Sequence, residues 1–277
     1  MGGRIVEEAL RKVKSLTHGL DEIKVDRVVL GLGYTAVRLS SGHSGLCYTF
    51  QSEIVPHHCQ VSRLAGTMAG EPALKIANMV KSWDISESVV GLAALNALSQ
   101  IAIESRSEAY TILNGDAIDH IRLTKKDVVA MVGHLAPMVK PIRAKVKRLH
   151  IIERSLTRRD QGILPDTACD QMLPRADVVI ITGTTIANGT IDHLLELSKR
   201  AKEVAVVGPS AGILPEVLFE HGATIVGGIK VTDTDKMMQV VSEGGGVPSL
   251  MEAIKFVCFR PKAASTFRNR SMADEQA

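Results

Sequence analysis

The residues with chemical potential in this chain lie in short segments rich in glycine and hydroxyl groups, each following an apolar run. They are Gly133-His134, Glu153-Arg154, Thr182-Gly183-Thr184-Thr185 with Asn188-Gly189-Thr190, Gly208-Pro209-Ser210-Ala211-Gly212, and Gly227-Gly228. Glycine lets backbone amides come close to a ligand. Threonine, serine and asparagine side chains bind carboxylate, phosphate or hydroxyl groups without adding charge. The third segment is the richest, with hydroxyls, an amide and two glycines ahead of a helix starting at Ile191. The same residues could instead turn the chain and cap that helix through Thr190.

The first segment is only part of a dinucleotide fingerprint. Gly133 leads into His134-Leu135-Ala136-Pro137, which lacks the further glycines a pyrophosphate needs. Glu153 lies about 20 residues on, the spacing at which an acidic side chain pairs with ribose hydroxyls. S-adenosylmethionine tolerates such a loop better than NAD does. Basic residues gather nearby, at Lys140 to Arg148 and at Arg154, Arg158 and Arg159. Arg154 is suited to holding a carboxylate or catecholate by charge-assisted bonds.

Pro56-His57-His58-Cys59 offers imidazole and thiolate donors. Consecutive side chains diverge, and no convergent fourth ligand is evident, so His57, His58 and Cys59 are read as surface residues rather than a tight metal site. The four cysteines, Cys47, Cys59, Cys169 and Cys258, form no CxxC pair and fit a reducing cytosol. Cys169 reads as core, and Asn114-Gly115-Asp116-Ala117 as a turn. No nucleophile elbow or Ser-His-Asp order is present, so hydrolase chemistry has no support.

The elements that must position these segments follow from hydrophobic period. Five apolar runs, at 128–132, 149–152, 177–182, 204–207 and 223–226, alternate with helical patterns at 136–146, 166–173, 191–201 and 215–221. A further helix at 233–241 and an added strand at 255–259 close the pattern. Continuous apolar strands between helices predict a doubly wound parallel sheet covered on both faces. Its strand ends would bring the glycine segments to one edge. Residues before about 125 read differently: a helix over 4–16, a strand over 27–32, a hairpin over 35–39 and 46–50, and helices over 72–83 and 86–103. That order predicts a separate α+β unit over 1–124, an α/β unit over 125–264, and a loose tail over 265–277.

With 277 residues the chain is long enough for two such units. The net charge of +3 is too balanced for a nucleic-acid footprint, and aromatics at 3 % leave little for base stacking. The run Val89 to Ile103 is broken by Asn96, Ser99 and Gln100 and falls short of the roughly 20 residues of a membrane span. The expectation is a cytoplasmic protein with a small-molecule partner, no nucleic acid and no membrane; a homo-oligomer is compatible with it.

Several segments, in order, resemble one family. They are Tyr34-Thr35-Ala36-Val37, Gly91-Leu92-Ala93-Ala94-Leu95-Asn96-Ala97, Asn114-Gly115-Asp116, the run from Ala176 to Thr185, Val207-Gly208-Pro209-Ser210-Ala211, and Leu214-Pro215-Glu216-Val217-Leu218-Phe219. Over about residues 5–262 the chain resembles the putative heavy-metal chelation family. The resemblance implies an enolase-N-terminal-like domain followed by a Rossmann-like domain, with a site in the cleft between them. It supplies neither a reaction nor a cofactor. One departure is Gly212, where a proline is expected after Ala211; this predicts a looser fourth loop. The leading expectation is a protein that binds a small anionic or metal-chelating ligand in the cleft, in metal handling or metallocofactor metabolism. Its site would use Gly133, Glu153, Arg154, Thr182, Gly183, Thr184, Asn188, Gly208 and Ser210. The alternative is an enzyme binding S-adenosylmethionine or a nucleotide through Gly133 and Glu153.

Overall fold

The structure is a computed structural model that describes residues 3–54, 61–155 and 162–262. Residues His57, His58, Cys59, Arg158 and Arg159 and the tail from 263 lie outside the described residues. Two sheets are present. The small one is antiparallel, in the order β1 (Val25–Leu30), β2 (Tyr34–Leu39), β3 (Ser44–Tyr48). The large one has seven strands in the order β4-β10-β9-β8-β7-β5-β6. These are β4 (Tyr110–Asn114), β5 (Val128–Val132), β6 (Arg148–Ile152), β7 (Val178–Thr182), β8 (Glu203–Val207), β9 (Ile225–Val231) and β10 (Ile254–Pro261).

Strands β5 to β9 are parallel, as their continuous Val, Ile and Ala content predicts. The chain steps from β5 outward to β6, then returns to β7 on the other side of β5. The order therefore reverses between β5 and β7, which makes the sheet doubly wound. β10 pairs antiparallel with β9 and with β4. Strand β4 corrects the expected boundary at 124. Residues 110–114 belong to the large sheet, because β10 at its margin offers them a free ladder of backbone groups.

The helices are α1 (Arg4–Leu16), α2 (Ala73–Ala77), α3 (Ile85–Ser105), α4 (Ala117–His120), α5 (Ala136–Lys145), α6 (Cys169–Met172), α7 (Thr184–Ala187), α8 (Ile191–Leu197), α9 (Pro215–Glu220), α10 (Thr234–Ser242) and α11 (Val247–Leu250). One face of the large sheet, with Val129, Met131, Ile151 and Ile180, buries Met138 and Ile142 of α5. The other, with Ala130, Val179, Ile181 and Val206, shares one continuous core with α1, α3, α8, α9 and the small sheet. The two sheets are separate, but the first unit does not carry a core of its own.

Helix α3 is the hub of that shared core. Asp84 starts it by accepting from Ser86 N–H at 2.8 Å. Its length and composition reach what a bilayer crossing needs, beyond the shorter run read from the sequence, yet 78 % of its apolar window is buried inside the protein. Two glycines let it be enclosed. A Cβ at Gly45 of β3 would overlap the backbone of Ala93 and Ala97, and one at Gly91 would overlap Val80. Asn96, buried within α3, donates from Nδ2 to Leu46 O at 2.9 Å and to Ser210 O at 3.2 Å. It thereby joins the small sheet to the loop after β8.

Candidate functional site

A cavity of about 500 Å³ opens at the carboxyl ends of β5, β6, β7 and β8, beside the point where strand order reverses. That is where an open α/β sheet presents ligand-binding loops. Of the nine residues expected from the sequence, eight line it: Gly133, Glu153, Arg154, Thr182, Thr184, Asn188, Gly208 and Ser210. Gly183 is not among the lining residues. A Cβ there would overlap the backbone of Ala211, so this glycine serves close packing of the third loop on the fourth.

The first two loops are held by one carboxylate. Glu153 Oε2 accepts from His134 N–H at 2.9 Å, and Oε1 accepts from Ser155 N–H at 2.8 Å. The residue read as a ribose ligand thus also fixes the ends of β5 and β6. Gly133 has φ +92°, and a Cβ on it would sit 2.7 Å from Thr182 Cγ2, so no other residue fits this corner without strain.

The third loop presents its polar groups from a short turn of helix. The Thr182 and Thr184 hydroxyls are 3.1 Å apart, and Thr185 donates its hydroxyl to Thr182 O at 2.7 Å. Asn188 Oδ1 accepts from Thr190 N–H at 3.2 Å and from the Thr190 hydroxyl at 2.7 Å. Asn188, rather than Thr190, therefore braces the start of α8, since no side chain caps that helix from Thr190. The Asn188 amide Nδ2 has no hydrogen-bond partner among the described residues. One hydroxyl hydrogen of the threonine pair and the Asn188 amide group are thus the donors this loop can offer a ligand.

The fourth loop is not loosened by Gly212. Ala211 N–H donates to Gly208 O at 2.9 Å, and Gly212 lies against the Asn96 side chain, which would be 3.0 Å from a Cβ. The missing side chain lets the Asn96 amide reach this loop. Gly208 has φ +109°, which favours glycine. Ser210 is 2 % exposed, and its hydroxyl oxygen accepts from Tyr48 N–H at 2.9 Å. It is a brace between the two sheets as much as a wall residue. Away from the cavity, Asp116 N-caps α4 by accepting from Ile118 N–H at 3.1 Å, as a turn residue does.

The opposite wall was not anticipated. Tyr34, Tyr48 and Phe50 line it, with Gln51, Ser52 and Glu53 following. The rings meet edge to face, at 5.9 Å and 86° for Tyr34–Tyr48 and 5.7 Å and 76° for Tyr48–Phe50. The Arg154 guanidinium lies over the Phe50 ring at 5.8 Å and pairs with Glu53. The signal was available in the hairpin, because Tyr34 and Tyr48 are directly opposed in the register of β2 and β3. At the rim, His193 of α8 and Asp170 of α6 are joined at 3.0 Å.

The described part of the cavity does not offer a ready-made donor set for a bare ion. Among the described residues no three His, Cys, Asp or Glu side chains gather closely enough to hold a metal. Cys169 lines the cavity, but burial, with Asp166 and Asp170 nearby, pushes its thiol up to about 11. Without a cation beside it, the thiol is protonated near neutrality.

Comparison with known proteins places this architecture. Two family models match, both described as putative heavy-metal chelation, one over residues 13–99 and one over 116–260. An uncharacterized protein of Methanocaldococcus jannaschii is 35 % identical over 164 residues, which are 58 % of this chain and 61 % of that relative's length. The match thus spans less than two thirds of that curated relative. Among solved structures, a protein of unknown function from Pyrococcus horikoshii superposes with a TM-score of 0.78 at 25 % identity. A second, from Desulfitobacterium hafniense, gives 0.73 at 27 % identity. Each covers 92 % of this chain and 99 % of its own. Both are assigned to the family whose model matches residues 116–260. With both halves matched in order and the fold shared over 92 % of its length, the chain belongs to the putative heavy-metal chelation family.

Proposed function

We propose that this protein binds a small anionic or metal-chelating ligand in the cleft between its two sheets, in metal handling or metallocofactor metabolism. The metal reaches the protein already wrapped in its chelator, as cargo. One observation carries the reading: the cavity presents uncharged donors at Thr182, Thr184 and Asn188 and a guanidinium at Arg154 beside the carboxylates of Glu53, Glu153, Asp166 and Asp170, and among the described residues no three His, Cys, Asp or Glu side chains gather to hold a metal. Such a lining suits the outer, oxygen-rich surface of a chelate. Gly208 keeps the approach open, while Gly133, Glu153, Gly183 and Ser210 hold the loops. The alternative, an S-adenosylmethionine or nucleotide enzyme, has less support because Gly133 is followed by His134-Leu135-Ala136-Pro137, without the further glycines of a nucleotide-binding loop.

The test is titration calorimetry with ferric citrate on the wild type and on a Thr184→Ala, Asn188→Ala double variant. The variant is expected to melt cooperatively while its affinity falls about tenfold, roughly 1.4 kcal/mol. Unchanged affinity in a stable double variant would remove the third loop from the site. Saturable binding of S-adenosylmethionine without binding of the chelate would overturn the reading in favour of the alternative.

A further inference from the structure

The chain is poor in aromatic residues, with one Trp, three Tyr and five Phe among 277. Elsewhere the core is filled mainly by Val, Ile, Leu, Ala and Met, with Tyr110, Phe219 and Phe259 as its other buried rings among the described residues. Yet two of the three tyrosines and one phenylalanine line this single cavity. All three come from the small sheet and the turn after it, opposite the hydroxyl-bearing third loop. Phe50 is buried and has Arg154 over its face, whereas Tyr34 and Tyr48 are only half-buried and border the open volume. The edge-to-face chain from Tyr34 through Tyr48 to Phe50 fixes these rings against one another. A stiff aromatic wall loses little side-chain freedom on binding and offers a flat, polarizable surface.

We propose that the ligand carries a flat conjugated ring, which lies along Tyr34 and Tyr48 while its anionic end meets Arg154 and the donors of Thr184 and Asn188. This deepens the proposed function and rests on it: the chelator is an aromatic anion of catecholate or heteroaromatic carboxylate type rather than an aliphatic polyacid. The two walls then read the two ends of one molecule. The large sheet supplies hydrogen-bond donors, Arg154 supplies charge, and the small sheet supplies the surface that distinguishes a ring from an open chain.

Two probes separate the ring from the charge, ferric 2,3-dihydroxybenzoate and ferric citrate, each titrated calorimetrically into the full chain. The wild type is expected to prefer the dihydroxybenzoate complex about tenfold, roughly 1.4 kcal/mol. Tyr34→Leu should weaken the dihydroxybenzoate complex about tenfold more than the citrate complex and so abolish that preference, and Tyr34→Phe should keep it. Thr184→Ala with Asn188→Ala should weaken both probes. Should Tyr34→Leu fail to fold, the gallium complex of dihydroxybenzoate on the wild type gives the same answer by proton NMR. Its ring protons should move upfield from the shielding of the tyrosine faces. Equal affinity of the wild type for the two probes, equal loss of both in Tyr34→Leu, or unmoved ring protons would overturn the ring contact while leaving citrate binding, and the proposed function, in place. Failure of both probes to bind the wild type would overturn both.

Discussion

The edge of the large sheet meets the cleft with backbone and short polar side chains, while the small sheet meets it with rings. The first wall is held from within its own loops: Glu153 clamps two of them, Asn188 braces a third, and Gly183 seats it on the fourth. The second wall is tied within its hairpin and turn, by the Thr35–Thr49 hydroxyl pair and the edge-to-face rings. Its position is set from behind, by the close approach of β3 to α3 at Gly45 and by Asn96 and Ser210. Donors built on strand ends are placed by local geometry, whereas the rings depend on packing between distant parts of the chain.

Substitutions that separate the walls should therefore be the most damaging. Gly45→Val would drive a side chain into the backbone of α3. We expect a loss of about 3 kcal/mol or more, seen as a collapse of the thermal transition. Gly42→Ala, at φ +84° but in open space, should cost only about 1 kcal/mol. Similar losses from the two would break the contrast between packing and turn.

Asn96→Ala removes the brace while leaving both sheets intact. It strands the Leu46 and Ser210 carbonyls, which Asn96 satisfies in a buried setting. Urea denaturation should show about 2–3 kcal/mol lost. A loss under half of that would mean that the walls are held by apolar contact alone.

The large sheet has its own acid-sensitive tie just before β5. Asp127 is buried, which on its own would raise its pKa, but Lys202 Nζ at 2.6 Å and Thr124 N–H at 2.7 Å outweigh this and hold it below the ordinary 3.8. A depressed folded-state pKa contributes stability that is full above the unfolded value and lost as pH falls through the folded one. Asp127→Asn should cost about 1–2 kcal/mol at neutral pH and almost nothing at low pH. A stability difference that persists unchanged into acid would contradict this.

The smallest effect is expected where the walls touch across the cleft mouth. Glu53 and Arg154 pair while both remain about one-third exposed, so Glu53→Gln should change stability by less than about 1 kcal/mol. It frees Arg154 for an anion, and ferric citrate should bind more tightly at low salt, the gain fading as salt screens it. Weaker binding would show instead that Glu53 is needed to aim the guanidinium.

Much of this arrangement was legible beforehand. The run Asp177-Val178-Val179-Ile180-Ile181-Thr182 announces a strand buried on both faces, and the glycines after each such run mark the sheet edge. Eight of nine expected residues reached the cavity because strand ends are local features. Gly183 did not, since a glycine that permits packing and one that admits a ligand look alike in sequence. Strand β4 was missed because Tyr110 to Asn114 is an edge segment whose partner, β10, lies near the other end of the chain. The rings escaped notice because Tyr34 and Tyr48 come together only through hairpin register, and Phe50 only through the turn beyond it.

Asn96 and Ser210 tie the two halves across the back of the cavity, and that bears on how quickly a ligand can be caught. A hinge needs an interface that can slide, and this one is pinned by buried hydrogen bonds on a helix enclosed by both halves. Capture should then proceed as a single encounter, with a rate that rises linearly with ligand concentration and shows no plateau from domain closure. The tightness of the complex would reside in its lifetime rather than in its speed of formation.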